Sequence, residues 1–188
     1  IRNDAAYHQI NLTVVSSGGG FTYGQLGMSH HATEDLSIMR SLPEIVSVAP
    51  ATAWESKNAT EALYNLKNVG YLRLEKGGES NPPFSDSEFQ LGKALTYRKG
   101  NAITIIAIGG ILSEALKAGE VLASKGIEAQ IISMHTIKPL DIDVIRFAIN
   151  NSNAILTVEE NNILGGLGSA VSEVIASENV IINFGKLG

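Results

Sequence analysis

Apolar positions along the chain follow two alternating periods. Short apolar runs at residues 12–15, 45–49, 71–74, 103–108, 129–134, 154–158 and 180–184 read as strands. Between them, apolar residues three and four apart read as amphipathic helices. Leu36, Ile38, Met39 and Leu42 form such a face from about Thr33, and Ala59, Ala62, Leu63 and Leu66 form another after Thr52. Thr52 precedes Glu55 by three residues, a capping-box spacing that marks where that helix begins. In the second half, Leu112, Ala115, Leu116, Leu122 and Ala123 lie on one helical face that stops at Gly126. Further helices are expected from Asp141, through Ile142, Ile145 and Ile149, and through Ala170, Val171, Val174 and Ile175. A turn is expected around Lys138-Pro139. Strands alternating with helices predict parallel α/β layers, and the apolar run at 103–108, interrupted only by Thr104, predicts a strand buried on both faces.

Gly77-Gly78 and Asn81-Pro82-Pro83 interrupt this alternation and divide the chain. The expected organisation is a first α/β unit over residues 1–76, a linker over 77–88 and a three-layer α/β domain over 89–188. The first unit has too few strands for a parallel sheet of its own, so further residues or a partner should complete it. The chain begins without methionine in an apparent mid-helix, and the expectation is a piece of something longer.

Composition narrows the function classes. The 188 residues are 44% hydrophobic, enough for one or two ordinary cores and too apolar for a disordered chain. The net charge of −5, from 19 acidic and 14 basic residues, is spread along the chain, which argues against nucleic acid as a partner. Cysteine is absent, and with it disulfides, thiolate zinc sites and thiol nucleophiles. No apolar run is long enough to span a bilayer, so the expected protein is soluble and cytoplasmic, with no membrane partner.

Candidate chemistry concentrates in Gly27-Met28-Ser29-His30-His31-Ala32-Thr33-Glu34-Asp35, which follows the glycine loop Gly18-Gly19-Gly20-Phe21-Thr22-Tyr23-Gly24. Neighbouring side chains on a loop diverge, so one of the two histidines is expected to face a site. There it could hydrogen-bond a substrate oxygen and move a proton near neutral pH. Glu34 and Asp35 read as first-turn acids that complement a helix dipole. Gly165-Gly166-Leu167-Gly168-Ser169 follows a strand and opens a helix, as a dinucleotide loop would. The third glycine of that fingerprint would fall at Val171, so the segment reads as a tight turn. Arg73 and Lys76 stand at the end of the last strand of the first half, where Lys76 is free to reach a phosphate or carboxylate at the sheet's rim. His135 reads as a packed or interface residue. No His or carboxylate pair has metal-ligand spacing.

Taken together these segments resemble the C-terminal part of the transketolase family of thiamine diphosphate enzymes. Gly27-Met28-Ser29-His30 resembles the family's Gly-Pro-Thr-His loop. The run from His30 to Asp35, followed by Met39-Arg40-Ser41-Leu42-Pro43, is similar to two-subunit bacterial members. Tyr71-Leu72-Arg73-Leu74-Glu75-Lys76 resembles the strand that ends in a phosphate-binding basic residue, and residues 92–169 resemble the transketolase C-terminal domain. The fold implied is a partial pyrimidine-binding α/β domain followed by a three-layer α/β transketolase C-terminal domain.

The activity implied is transfer of a two-carbon ketol unit between sugar phosphates or related substrates. His30 matches the histidine that contacts the substrate's reacting oxygen, and Lys76 matches the position of the sugar-phosphate anchor, usually arginine. Gly18 and Leu26 stand where other transketolases carry a substrate histidine and an aspartate that reads a sugar hydroxyl. Thiamine diphosphate and Mg2+ would be bound in the complete enzyme, mainly by residues outside this chain, and no residue here is assigned to either. The partners implied are an N-terminal transketolase subunit or domain and a second copy, through a C-terminal homodimer. The alternatives are deoxyxylulose-phosphate synthase, the β subunit of 2-oxo acid dehydrogenases, or a non-catalytic assembly subunit of the same fold.

Overall fold

The structure is a computed structural model and describes residues 1–75 and 88–188. After one π-helical turn over Arg2–Ala6, the first half runs β1 (Leu12–Ser17), α1 (Asp35–Ser41), β2 (Ile45–Val48), α2 (Ala53–Tyr64) and β3 (Val69–Leu74). β1 and β2 both lie parallel to β3, with Leu12 and Ile45 each opposite Val69. The expected capping of α2 is present: the Glu55 amide donates to Thr52 Oγ1 across 3.1 Å, and the Glu55 carboxylate accepts from the Ala51 amide across 2.6 Å.

The second half contains β4 (Leu95–Arg98), β5 (Ile103–Ile108), α3 (Leu112–Ala123), β6 (Ala129–Ser133), β7 (Thr136–Lys138), α4 (Ile142–Asn151), β8 (Ala154–Glu159), α5 (Leu167–Ser177) and β9 (Asn183–Leu187). Five of these strands form one sheet in the order β4-β6-β5-β8-β9, parallel except for β4. Successive residues of β5 face opposite ways. Ile105 and Ala107 pack with Leu112 and Ala115 of α3. Ile106 and Ile108 pack with Ile145 of α4 and Val171 of α5. Helices therefore cover both faces, giving the three layers that the sequence predicts.

Three boundaries differ from the sequence reading. The segment around Lys138-Pro139 holds more than a turn: residues 136–138 form β7, which leaves its own half and pairs antiparallel with β2. The first sheet thus has the order β1-β3-β2-β7 and takes its fourth strand from the second half. β4 also escapes the sequence reading, because it is four residues long and only Leu95 in it is buried. The last strand starts at Asn183, opposite Ala154, which leaves Val180 and Ile181 exposed before it.

The two halves share one core. Leu36, Ile45 and Tyr71 of the first belong to the same buried cluster as Ile106, Ile132, Ile145 and Leu167 of the second. A separate cluster beneath α2 joins Val48, Ala59, Leu63 and Leu72, with Phe89 packed against it. No helix among the described residues is long and apolar enough to cross a membrane.

Candidate active site

The glycine loop and the histidine pair fold back on each other beyond the C-terminal end of β1. Gly20 and Ala32 exchange both backbone hydrogen bonds, each 3.0 Å, which closes the intervening residues into one excursion. Gly18, Gly19 and Gly20 are buried, and the first and third have φ of +91° and +58°, where glycine carries no steric penalty. Gly19 meets a second demand: a Cβ there would collide with the Arg73 guanidinium.

At the far end of the excursion Met28–His30 forms a single 3-10 turn. The histidine rings diverge. His30 is exposed, and its Nδ1 lies 3.0 Å from the hydroxyl of its neighbour Ser29. His31 turns inward, with Nε2 3.3 Å from the Gly24 carbonyl and its ring edge-on to Phe21 at 5.1 Å between centroids. His31 thus holds the loop together, while the outer face of His30 is open. The helix that follows begins at Asp35 with Glu34 as its N-cap, close to the expected start at about Thr33, and His31 is extended, so α1 does not start beside His30. The separation has a physical cause, since the bridge from Ala32 to Gly20 holds the chain extended just there.

Asp35 does more than complement a helix dipole. Its carboxylate accepts from the Tyr71 hydroxyl across 2.6 Å and faces Arg73 Nη1 at 3.5 Å. Arg73 shares a strand face with Val69 and Tyr71 and is only 3% exposed, with Asp35 as its ion-pair partner and its Nε left without a hydrogen bond. Burial, together with Asp35, pushes the Tyr71 hydroxyl's pKa upward and keeps it a donor. Glu160, from the end of β8, stands against Gly20 and the Arg73 guanidinium. Its carboxyl is raised above the usual range by burial first and by Glu75 next, with Arg73 acting in the opposite sense. Sequence reasoning missed this pair; the signal available was the charge of Arg73 near the end of an otherwise apolar strand. Lys76, the sequence-predicted anchor, lies outside the described residues, as does the linker up to residue 87.

The glycine turn at residues 165–168 is structural. Glu159 sends both carboxylate oxygens to the first amides of α5, Leu167 and Gly168, each at 2.8 Å. An internal carboxylate therefore occupies the place a diphosphate would need. A Cβ on Gly166 would run into that carboxylate. The turn at residues 165–168 therefore does not fit a diphosphate. Among the described residues no group of three His, Cys, Asp or Glu is arranged to hold a metal ion. His135 is fully buried, with Nδ1 2.8 Å from Thr136 Oγ1 and its ring stacked on Phe89 at 4.3 Å.

Comparison with known proteins agrees with this architecture. Residues 1–78 match the family model "Transketolase, pyrimidine binding domain", and residues 92–185 match "Transketolase, C-terminal domain". The chain is 38% identical over 182 residues to a putative transketolase C-terminal section of Methanocaldococcus jannaschii, covering 96% of this chain and 57% of that one. It is 36% identical over 182 residues to an apulose-4-phosphate transketolase subunit of Phocaeicola vulgatus, covering 96% and 58%. A solved structure described as a split-gene transketolase, an inactive β4 tetramer, superposes with a TM-score of 0.88 at 32% identity, covering 99% of this chain and 60% of that one. The chain thus spans less than two thirds of the length of these relatives. With the pyrimidine-binding and C-terminal domains both matched, in that order, over residues 1–78 and 92–185, the chain belongs to the transketolase family.

Proposed function

We propose that this chain is the C-terminal portion of a transketolase that transfers a two-carbon ketol unit between sugar phosphates or related substrates. The observation that carries the reading is His30, exposed on a glycine-bounded turn in a chain whose two halves match the two transketolase domains in order. In the complete enzyme thiamine diphosphate and Mg2+ would be held mainly by residues of an N-terminal subunit or domain, and the cofactor would supply the carbanion chemistry. The likeness to one subunit of the apulose-4-phosphate transketolase, and to a split-gene transketolase, supports such a partner. A homodimer through the C-terminal domain and a cytoplasmic location belong to the same reading.

The task of His30 is to donate a hydrogen bond to the substrate oxygen that gains charge as the carbon–carbon bond breaks or forms. His31, tied to Gly24 and Phe21, would keep the turn in shape. Lys76 would anchor the distal anion, matching the family's phosphate-binding residue.

Steady-state kinetics of the complete enzyme tests the assignment, with apulose 4-phosphate, the sugar in the name of the Phocaeicola vulgatus relative, as donor. His30→Ala is expected to lower kcat by roughly a hundredfold or more, the cost of about 3 kcal/mol for losing one donor to developing charge. His31→Ala is expected to cost far less. The assignment fails if His31→Ala is the more damaging change.

A further inference from the structure

The His30 turn is anchored at few points. Within it, His30 N–H bonds the Gly27 carbonyl at 3.0 Å and His31 N–H the Met28 carbonyl at 3.3 Å, both local contacts that leave the turn's position on the molecule unset. The His30 ring's hydrogen-bond contact is to the adjacent Ser29, which moves with it. His31 ties the turn to Gly24 and Phe21 of the same loop, and the chain directly after it ties that loop to the rest of the molecule. Ala32 is bonded on one side to Gly20, and on the other side the Thr33 carbonyl accepts from the Asn162 amide at 2.7 Å.

Asn162 belongs to the second half, in the loop between β8 and α5. Its neighbours extend the same contact. The Asn161 side-chain amide donates to Ser37 Oγ across 2.8 Å, and Ser37 Oγ donates to the Leu164 carbonyl across 2.9 Å. Arg40 donates to the Gly165 carbonyl at 3.3 Å and pairs with Glu173. Glu160 abuts Gly20 itself. Asn161 is 1% exposed at the centre of this seam, while Asn162, Leu164 and Glu173 lie exposed along its outer edge.

We propose that this loop, residues 160–165, positions His30, making the second half of the chain part of the catalytic apparatus rather than an assembly module alone. The inference rests on the ketol-transfer reading above. The loop touches no reacting atom. It acts through Thr33 and Gly20, and its effect is on where the His30 ring stands when the substrate oxygen arrives. Displacement of a positioned group by about 1 Å is enough to cost on the order of a hundredfold in rate. A partial loosening of the seam should cost less.

The test uses the complete enzyme, with Ser37→Ala removing both bonds through the Ser37 hydroxyl and Glu160→Gln removing the charge beside Gly20. Each is made alone and together with His30→Ala, and kcat and KM are measured with apulose 4-phosphate as donor and one fixed sugar-phosphate acceptor. Ser37→Ala is expected to lower kcat about tenfold with donor KM changed less than about twofold. In the His30→Ala background the same substitution should have almost no further effect, because a misplaced alanine loses nothing. Equal losses in both backgrounds, a change confined to KM, or an unchanged kcat for both variants overturns the proposal. If Ser37→Ala lowers the unfolding temperature, the same comparison is read from Glu160→Gln. An unchanged kcat for His30→Ala alone is a different result: it overturns the functional reading, and the positioning role with it.

Discussion

Tyr97, on β4 of the second half, donates its hydroxyl to the Glu55 carboxylate on α2 of the first, across 2.8 Å. Glu55 is completely buried and accepts a second bond from the Ala51 amide. A carboxylate is costly to bury, and the two donors make its burial tolerable. The pair therefore fastens the two halves together beside the apolar cluster that contains Ala51, Ile105 and Ile131. Burial nonetheless raises the Glu55 pKa above 4.5, with the bonds from Ala51 and Tyr97 opposing it.

Tyr97→Phe should destabilise the fold by about 1–3 kcal/mol, the cost of leaving a buried acceptor short of a partner. The loss should depend on pH. A carboxyl whose folded pKa is raised gives its full stability below its unfolded value and loses it as pH rises through the folded one. Removing a donor raises the folded pKa further, so the variant's deficit should be larger at pH 7 than at pH 4. Urea unfolding at the two pH values measures this, and an equal deficit at both contradicts the assignment.

His135 should make the protein acid-sensitive. Burial lowers its pKa from 6.5 to about 4, so the unfolded chain takes up a proton that the folded chain resists. The stability this group contributes is fully present above pH 6.5 and is lost as pH falls toward 4. The loss is on the order of 3 kcal/mol. His135→Phe keeps a ring against Phe89 and carries no titrating group. Its unfolding free energy should therefore decline less than that of the unchanged protein between pH 6.5 and 4.5. Parallel curves would show that His135 does not titrate in this way.

Lys76→Ala in the complete enzyme should raise KM for phosphorylated donors with little change in kcat. A distal anchor holds ground and transition states alike, so its loss weakens binding without changing the chemical step. Donors without phosphate should be unaffected. If both donor types suffer equally, Lys76 is not the anchor.

Much of this was legible in the sequence because it is local. Ile103–Ile108 is apolar except for Thr104, and a strand with that pattern has to be covered on both faces, so three layers follow. Thr52 and Asp141 each accept the amide three residues on, at Glu55 and Val144, which is why the starts of α2 and α4 could be read from residue type. The single departure of Val171 from a dinucleotide fingerprint was enough to predict a structural turn, and Glu159 fills its amides.

What tertiary structure decided was every relationship across long separations. β7 is three residues long, too short for a period of two to register, and it forms because β2 offers an unpaired edge. Arg73 reads as a rim cation beside Lys76 until β3 is paired, when its register places it on the face of Tyr71 and beneath Gly19. Asp35, one of two adjacent acids at a helix start, is given its partners only when β3 lies under α1. The sequence by itself determined which residues prefer strand, helix or turn, since those preferences depend on a few neighbours. Which buried charges met, and which loop supports His30, depended on the packing of both halves into one core, and no local pattern encodes that.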